Sequence, residues 1–264
     1  MSGLLGTRDS LSRRTRLRQS GVSQGEFPRE FRTIAAKMPR NARVVAPGLP
    51  YHITQRGTNR DRVFLAVGDR KLYLRLVGES VAEAGVRVLA YCLMSNHVHF
   101  VVVPEREDSL AVLFGRANGR FAQAMNIERG RCGHLWQARF HSCPMSETHL
   151  WAGLRYVEEN PCRAGMVAAA EEYRWSSAAA HLTGARDRSG VLDMRFWEEA
   201  GGAGTWAEMF AAPWGEARVA ELRRCTYAGR PFGEEDFVEA MEERFARRWR
   251  RGGDSAGSGI GDFA

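Results

Sequence analysis

The sequence predicts an α+β fold: a ferredoxin-like β-α-β-β-α-β core, a third helix after it, and a C-terminal helical extension. Three observations predict this. Strand-like and helix-like apolar spacings alternate in that split order between Tyr51 and Met145, and a tight turn at Ser95-Asn96 joins the two middle strands. Trp197, Trp206 and Trp214 with Phe210 then suggest a small helical unit in the last third. At 264 residues and 44% hydrophobic, the chain can bury a full core and carry appended segments.

The elements follow in order. Tyr51 to Arg56 reads as the first strand. Asp69 to Ala84 has helical spacing through Leu72, Leu76, Val77 and Val81. Val86 to Met94 and His97 to Val103 are the next strands, Leu110 to Met125 the second helix, and Phe140 to Met145 the last strand. Ser146 then offers an N-cap to a third helix, Thr148 to Glu159, which Pro161 ends. A further helix start follows Gly233.

Four segments result. Residues 1–37 are polar, Arg- and Ser-rich and lack periodicity, which predicts a disordered basic extension. Residues 38–183 hold the core and third helix, 184–251 the helical segment, and 252–264 a Gly/Ser-rich flexible tail. The apolar runs are too short for a membrane span, so no membrane partner and a cytoplasmic location are expected, as a monomer or homodimer. The five cysteines are scattered and form no C-x-x-C pair, which argues against a disulfide framework or a zinc knuckle. Net charge is +7, carried almost wholly by arginine, which suits a nucleic-acid partner.

His97 and His99 flank Val98 at the head of an apolar strand. Successive strand residues alternate faces, so the two imidazoles share one face about 7 Å apart, able to converge on a divalent ion or to serve as structural histidines. Tyr156 and Asn160 stand four residues apart on one helix face. A tyrosine beside a metal suggests phosphoryl transfer to the phenol oxygen. On residue type alone, a packing tyrosine with a capping asparagine reads more readily.

Four segments in order carry a resemblance: Met94-Ser95-Asn96-His97-Val98-His99-Phe100, then Gly133 to Phe140, then Tyr156 to Val167, then Trp175 to Ala178. Leu49 to Asn59 also fits. Over roughly residues 38–183 the chain resembles the single-tyrosine HUH transposases of the IS200-like family, in their REP-associated tyrosine transposase branch. The resemblance implies a metal-dependent endonuclease and strand transferase that cuts single-stranded DNA near a hairpin (a palindromic repeat) through a 5′-phosphotyrosine intermediate. Carried over residue by residue, Tyr156 matches the nucleophile, His97 and His99 the metal pair, and Asn160 the third ligand. Mg²⁺ or Mn²⁺ suits such a mixed nitrogen and oxygen set.

Arg56, Asn59, Arg60, Arg120, Trp136 and Arg139 are candidate DNA contacts, to phosphates or to unpaired bases. Solvated arginines and a core tryptophan would account for them equally well. Glu158 and Glu159 are expected to be solvated on the far side of the helix. Two rivals stand beside the transposase: a non-catalytic hairpin-binding derivative, and a metal-dependent amidohydrolase-type enzyme. The second fits poorly, because that class needs a large barrel with further ligands on later strands.

Overall fold

The computed structural model describes residues 45–213 and 215–249, so the expectations for 1–37, Trp214 and 252–264 lie outside the described residues. Strands β1 (Tyr51–Arg56), β2 (Val86–Leu93), β3 (His97–Pro104) and β4 (His141–Pro144) form a sheet in the order β2-β3-β1-β4. Each neighbouring pair is antiparallel. Helices α1 (Val67–Ala84) and α2 (Ser109–Glu128) supply the two crossovers. This is the β-α-β-β-α-β order that the apolar spacing predicts.

Alternation along the strands divides the molecule into two layers. Ile53, Val98, Phe100 and Val102 point to one face, where Tyr73, Leu76 and Val77 of α1 and Leu110, Phe114 and Phe121 of α2 cover them. Asp69 fixes the start of α1: its carboxylate accepts the amides of Leu65 and Ala66 and pairs with Arg129 at 2.9 Å.

The other face belongs to α3 (Glu147–Glu158), whose N-cap Ser146 accepts from the His149 amide. Leu150, Leu154 and Val157 of this helix pack on Val101, Val103 and Cys143 of the sheet. Burial of such side chains contributes roughly 1.5–3 kcal/mol each, so packing fixes the helix more than propensity does. The sequence ends this helix at Glu159, before Pro161. It ends at Glu158, and Pro161 does not stop the chain's helical course but lies in the first turn of a short helix α4 (Asn160–Arg163), where a missing N–H costs little.

Beyond α4 come α5 (Ala178–Thr183), α6 (Met194–Glu199), α7 (Gly202–Ala211), α8 (Glu216–Ala228) and α9 (Glu235–Arg244). Trp206 of α7 and Val219 and Leu222 of α8 join the same buried cluster as α3. Helices α7 and α8 therefore share the core of the sheet's second face, while Met241 of α9 packs in a separate cluster with Ala46 and Trp249. Among the described residues, no helix is long and apolar enough to cross a membrane.

Candidate active site

On the second face β3 presents His97 and His99 and β1 presents His52, while Tyr156 comes down from α3. The Tyr156 ring meets His52 edge-on at 5.3 Å between centroids and His99 at 5.5 Å. His97 and His99 stand at right angles to each other, 4.8 Å apart. Gly153, one turn before Tyr156, packs closely on Met145, just past β4: a Cβ there would fall 2.5 Å from Met145 Sδ. A side chain at 153 would require the Met145 side chain to move.

Hydrogen bonds assign the tautomers. The Thr226 hydroxyl donates to the Leu222 carbonyl at 2.8 Å, so toward His52 Nδ1, also at 2.8 Å, it accepts. A neutral His52 protonated on Nδ1 keeps its lone pair on Nε2 and accepts from His99 Nδ1 at 2.9 Å. His99 is then left with its lone pair on Nε2. His97 follows the same rule by another route: Asn96 donates its amide to the Arg60 carbonyl at 3.1 Å and accepts from His97 Nδ1 at 2.6 Å. Both imidazoles thus hold their lone pairs on Nε2, the arrangement in which a histidine ligates a metal while its other nitrogen is oriented by a protein group.

Electrostatics keep all three rings neutral. Burial, and then Arg163, lowers His52 to about 3. Burial, then Arg56 and Arg223, lowers His97 to about 3. For His99 burial acts first, helped by His97, His52, Arg163 and Arg223. The cations that discourage imidazolium are those that would favour a phosphate. Arg163 lies with its guanidinium 4.5 Å from the Tyr156 ring centroid, and its Nε is buried without a hydrogen-bond partner.

Asn160 is buried, and its side-chain amide donates to the Tyr156 carbonyl at 3.0 Å and to that of Val157 at 3.4 Å. Committing the nitrogen to the helix leaves the amide oxygen as the end that can ligate. Among the described residues no three His, Cys, Asp or Glu side chains form a ready ligand cluster. Two imidazole nitrogens and an amide oxygen, the donor types of His97, His99 and Asn160, suit a hard divalent ion whose shell is completed by oxygen ligands.

Glu158 is not solvated, and Glu159 is only partly so. Glu158 has 0% exposure and accepts from the Ser177 hydroxyl and His181 Nδ1, both at 2.5 Å, and from Trp206 Nε1 at 3.2 Å. Glu159 pairs with Arg155 at 2.7 Å and Arg163 at 3.4 Å. The helices after α4 cover the side of α3 that a sequence read in isolation would leave to water.

The candidate DNA contacts divide by position. Arg56 is the cross-strand partner of His97 in the β1–β3 ladder. Asn59 and Arg60 follow in a left-handed turn, φ 54° and 64°, and are exposed, as is Arg139. The structure does not bring Arg120 or Trp136 to this site. Arg120 lies on α2, over the opposite face of the sheet, and pairs with Glu79 at 2.7 Å. Trp136 is buried against Tyr73 and Phe121, with its indole N–H donating to the Asn118 carbonyl at 3.1 Å, so no face remains for a base to stack on.

His52, Asn96, Arg163, Arg223 and Thr226 reach the site without having been singled out from sequence. His52 carried a signal, since it shares strand parity with Thr54, which the register sets opposite His99. Arg163 lies seven residues past Tyr156, two helical turns on. Arg223 and Thr226, 67 and 174 positions from the side chains they bond, carried none.

Residues 46–160 match the family model described as transposase IS200 like. Among solved structures, the chain resembles a REP-associated tyrosine transposase bound to a REP hairpin, at 17% identity and a TM-score of 0.48, over 55% of this chain and 86% of that one. It also resembles a protein of Deinococcus radiodurans R1 assigned as a transposase, at 21% identity and a TM-score of 0.33, over 46% of this chain and 96% of that one. No curated relative matches the chain. Over residues 46–160, the chain is therefore similar to the IS200-like transposase family.

Proposed function

We propose that this chain is a metal-dependent, single-tyrosine nuclease and strand transferase acting on single-stranded DNA beside a hairpin. The observation that carries the reading is the Tyr156 ring edge-on to His52 and His99, at 5.3 and 5.5 Å. His97 and His99, through Nε2, and Asn160, through its side-chain oxygen, would hold Mg²⁺ or Mn²⁺. Such an ion, when bound, supplies Lewis acidity toward the scissile phosphate.

The chain's own residues do the rest. Tyr156 Oη attacks phosphorus, the new Oη–P ester forms, and the bond from phosphorus to the 3′ oxygen breaks. The phenol proton passes to solvent, and solvent returns one to the leaving 3′ oxygen. The product is a 5′-phosphotyrosine and a free 3′-hydroxyl, in which the ester is conserved for rejoining. Arg163, its guanidinium over the Tyr156 ring, opposes the charge of the phosphate. Arg56, Asn59, Arg60 and Arg139 position the strand through its backbone. The hairpin preference rests on the ordered motifs around His97, Trp136, Tyr156 and Trp175.

The test is a labelled oligonucleotide carrying a hairpin and its flanks, incubated with Mg²⁺ and run on a denaturing protein gel. Wild type is expected to retain label on single-stranded substrate but not on duplex, and Tyr156→Phe to retain none. Equal labelling of wild type and Tyr156→Phe would sink the assignment. Label that survives chelation of divalent ions would remove the metal from it.

A further inference from the structure

The matched family span ends at residue 160, yet α8, more than fifty residues later in the chain, touches the nucleophile itself. Arg223 Nε donates to Tyr156 Oη at 3.2 Å, and its guanidinium carbon lies 5.8 Å from the phenol ring centroid. One turn on, Thr226 of the same helix holds His52, which holds His99. Leu222 is fully buried and Val219 and Cys225 nearly so, which anchors the helix against the core and fixes the arm of Arg223.

We propose that Arg223 is a catalytic residue of the Tyr156 reaction: its guanidinium orients Oη and takes up the negative charge that passes between the phenol oxygen and the phosphate. This rests on the reading of Tyr156 as nucleophile. In cleavage the Oη–P bond forms and the P–O3′ bond breaks, with the proton going by way of solvent from phenol to 3′ oxygen. Rejoining is the reverse: a 3′-hydroxyl attacks phosphorus and the phenolate departs. A cation fixed at Oη serves both directions, because the charge resides on that oxygen at the start of one and at the end of the other. Arginine suits the task, since it stays charged and offers a planar fork to two oxygens.

The experiment uses the full chain with Mg²⁺ and saturating hairpin oligonucleotide under single-turnover conditions, reading adduct formation and, from isolated adduct, rejoining to a 3′-hydroxyl strand. Arg223→Ala is expected to slow both steps by about 100-fold or more, with oligonucleotide affinity within about three-fold. Guanidinium ion at tens of millimolar should restore part of both rates in Arg223→Ala and none in Tyr156→Phe. Adduct formation within about three-fold of wild type overturns the proposal. So does a loss of affinity that accounts for the whole loss of rate, which would make Arg223 a strand-binding residue. Should Arg223→Ala fail to fold, Arg223→Lys decides: a rate within about three-fold of wild type in both steps overturns the proposal, and a fall in both supports it. Tyr156→Phe runs in parallel, and an adduct there rejects the nucleophile rather than the arginine.

Discussion

Replacing Glu158 by alanine probes the joint that holds the tyrosine-bearing helix to the C-terminal half. Its carboxylate is inaccessible to solvent and receives three donors, from Ser177 just before α5, His181 in α5 and Trp206 in α7. Deleting it leaves those donors without an acceptor in a site closed to water. An orphaned buried donor costs about 1–3 kcal/mol, and breaking a buried charged network typically about 3–5 kcal/mol. We expect Glu158→Ala to lose about 3–5 kcal/mol, a large part of a domain's usual 5–15 kcal/mol or so. Glu158→Gln keeps an oxygen for Ser177 and His181 but turns an amide N–H toward the Trp206 N–H, so about 1–3 kcal/mol is expected. Urea titration followed by circular dichroism measures both. In thermal unfolding the alanine variant should melt roughly 6–20 °C lower, taking about 2–4 °C per kcal/mol for a chain of this size. An alanine variant within about 1 kcal/mol of wild type, or a glutamine variant that costs more than alanine, would refute the account.

Two further outcomes follow from the imidazoles. His52→Phe removes the acceptor of the His99 Nδ1 proton while keeping a ring in place, so Mn²⁺ affinity measured by calorimetry should fall about 10–100-fold, and an unchanged affinity would show that His52 does not orient His99. His52 and His97 titrate near 3 in the folded chain against an ordinary 6.5, so the unfolded chain binds more protons between those limits. Stability should therefore hold above about pH 6.5 and fall as the pH drops toward 3, by about 1.4 kcal/mol per pH unit for each ring. Urea midpoints flat from pH 7 to pH 4 would contradict the burial of these rings.

What was legible in the sequence is what depends on short-range periodicity. The four strands and the first three helices each declare themselves within a dozen residues or so, and His97 with His99, or Tyr156 with Asn160, declare themselves by spacing of two or four. What was not legible depends on which surfaces later segments cover. Trp136 follows the second helix in an arginine-containing loop, and only the position of Tyr73 and Phe121 makes it a core residue. Glu158 reads as solvent-facing on the isolated helix, and only Ser177, α5 and α7 enclose it. Arg223 and Thr226 lie in a helix with an undistinguished pattern, and their importance comes from the tertiary path that lays that helix across His52 and Tyr156.

The central position of β3 makes its alignment self-checking. Its neighbours fix it from both sides, with His99 opposite Thr54 on one flank and Cys92 on the other. A slip of one residue would deliver Val98 and Phe100 to the tyrosine and thrust two imidazoles among Tyr73, Phe114 and Phe121. That misaligned chain would lack its chemistry and, through unpaired polar rings in an aromatic interior, much of its stability. Quality control that recognises only instability would thus remove the inactive form as well. Selection for a stable, long-lived protein therefore also guards the geometry of the candidate site.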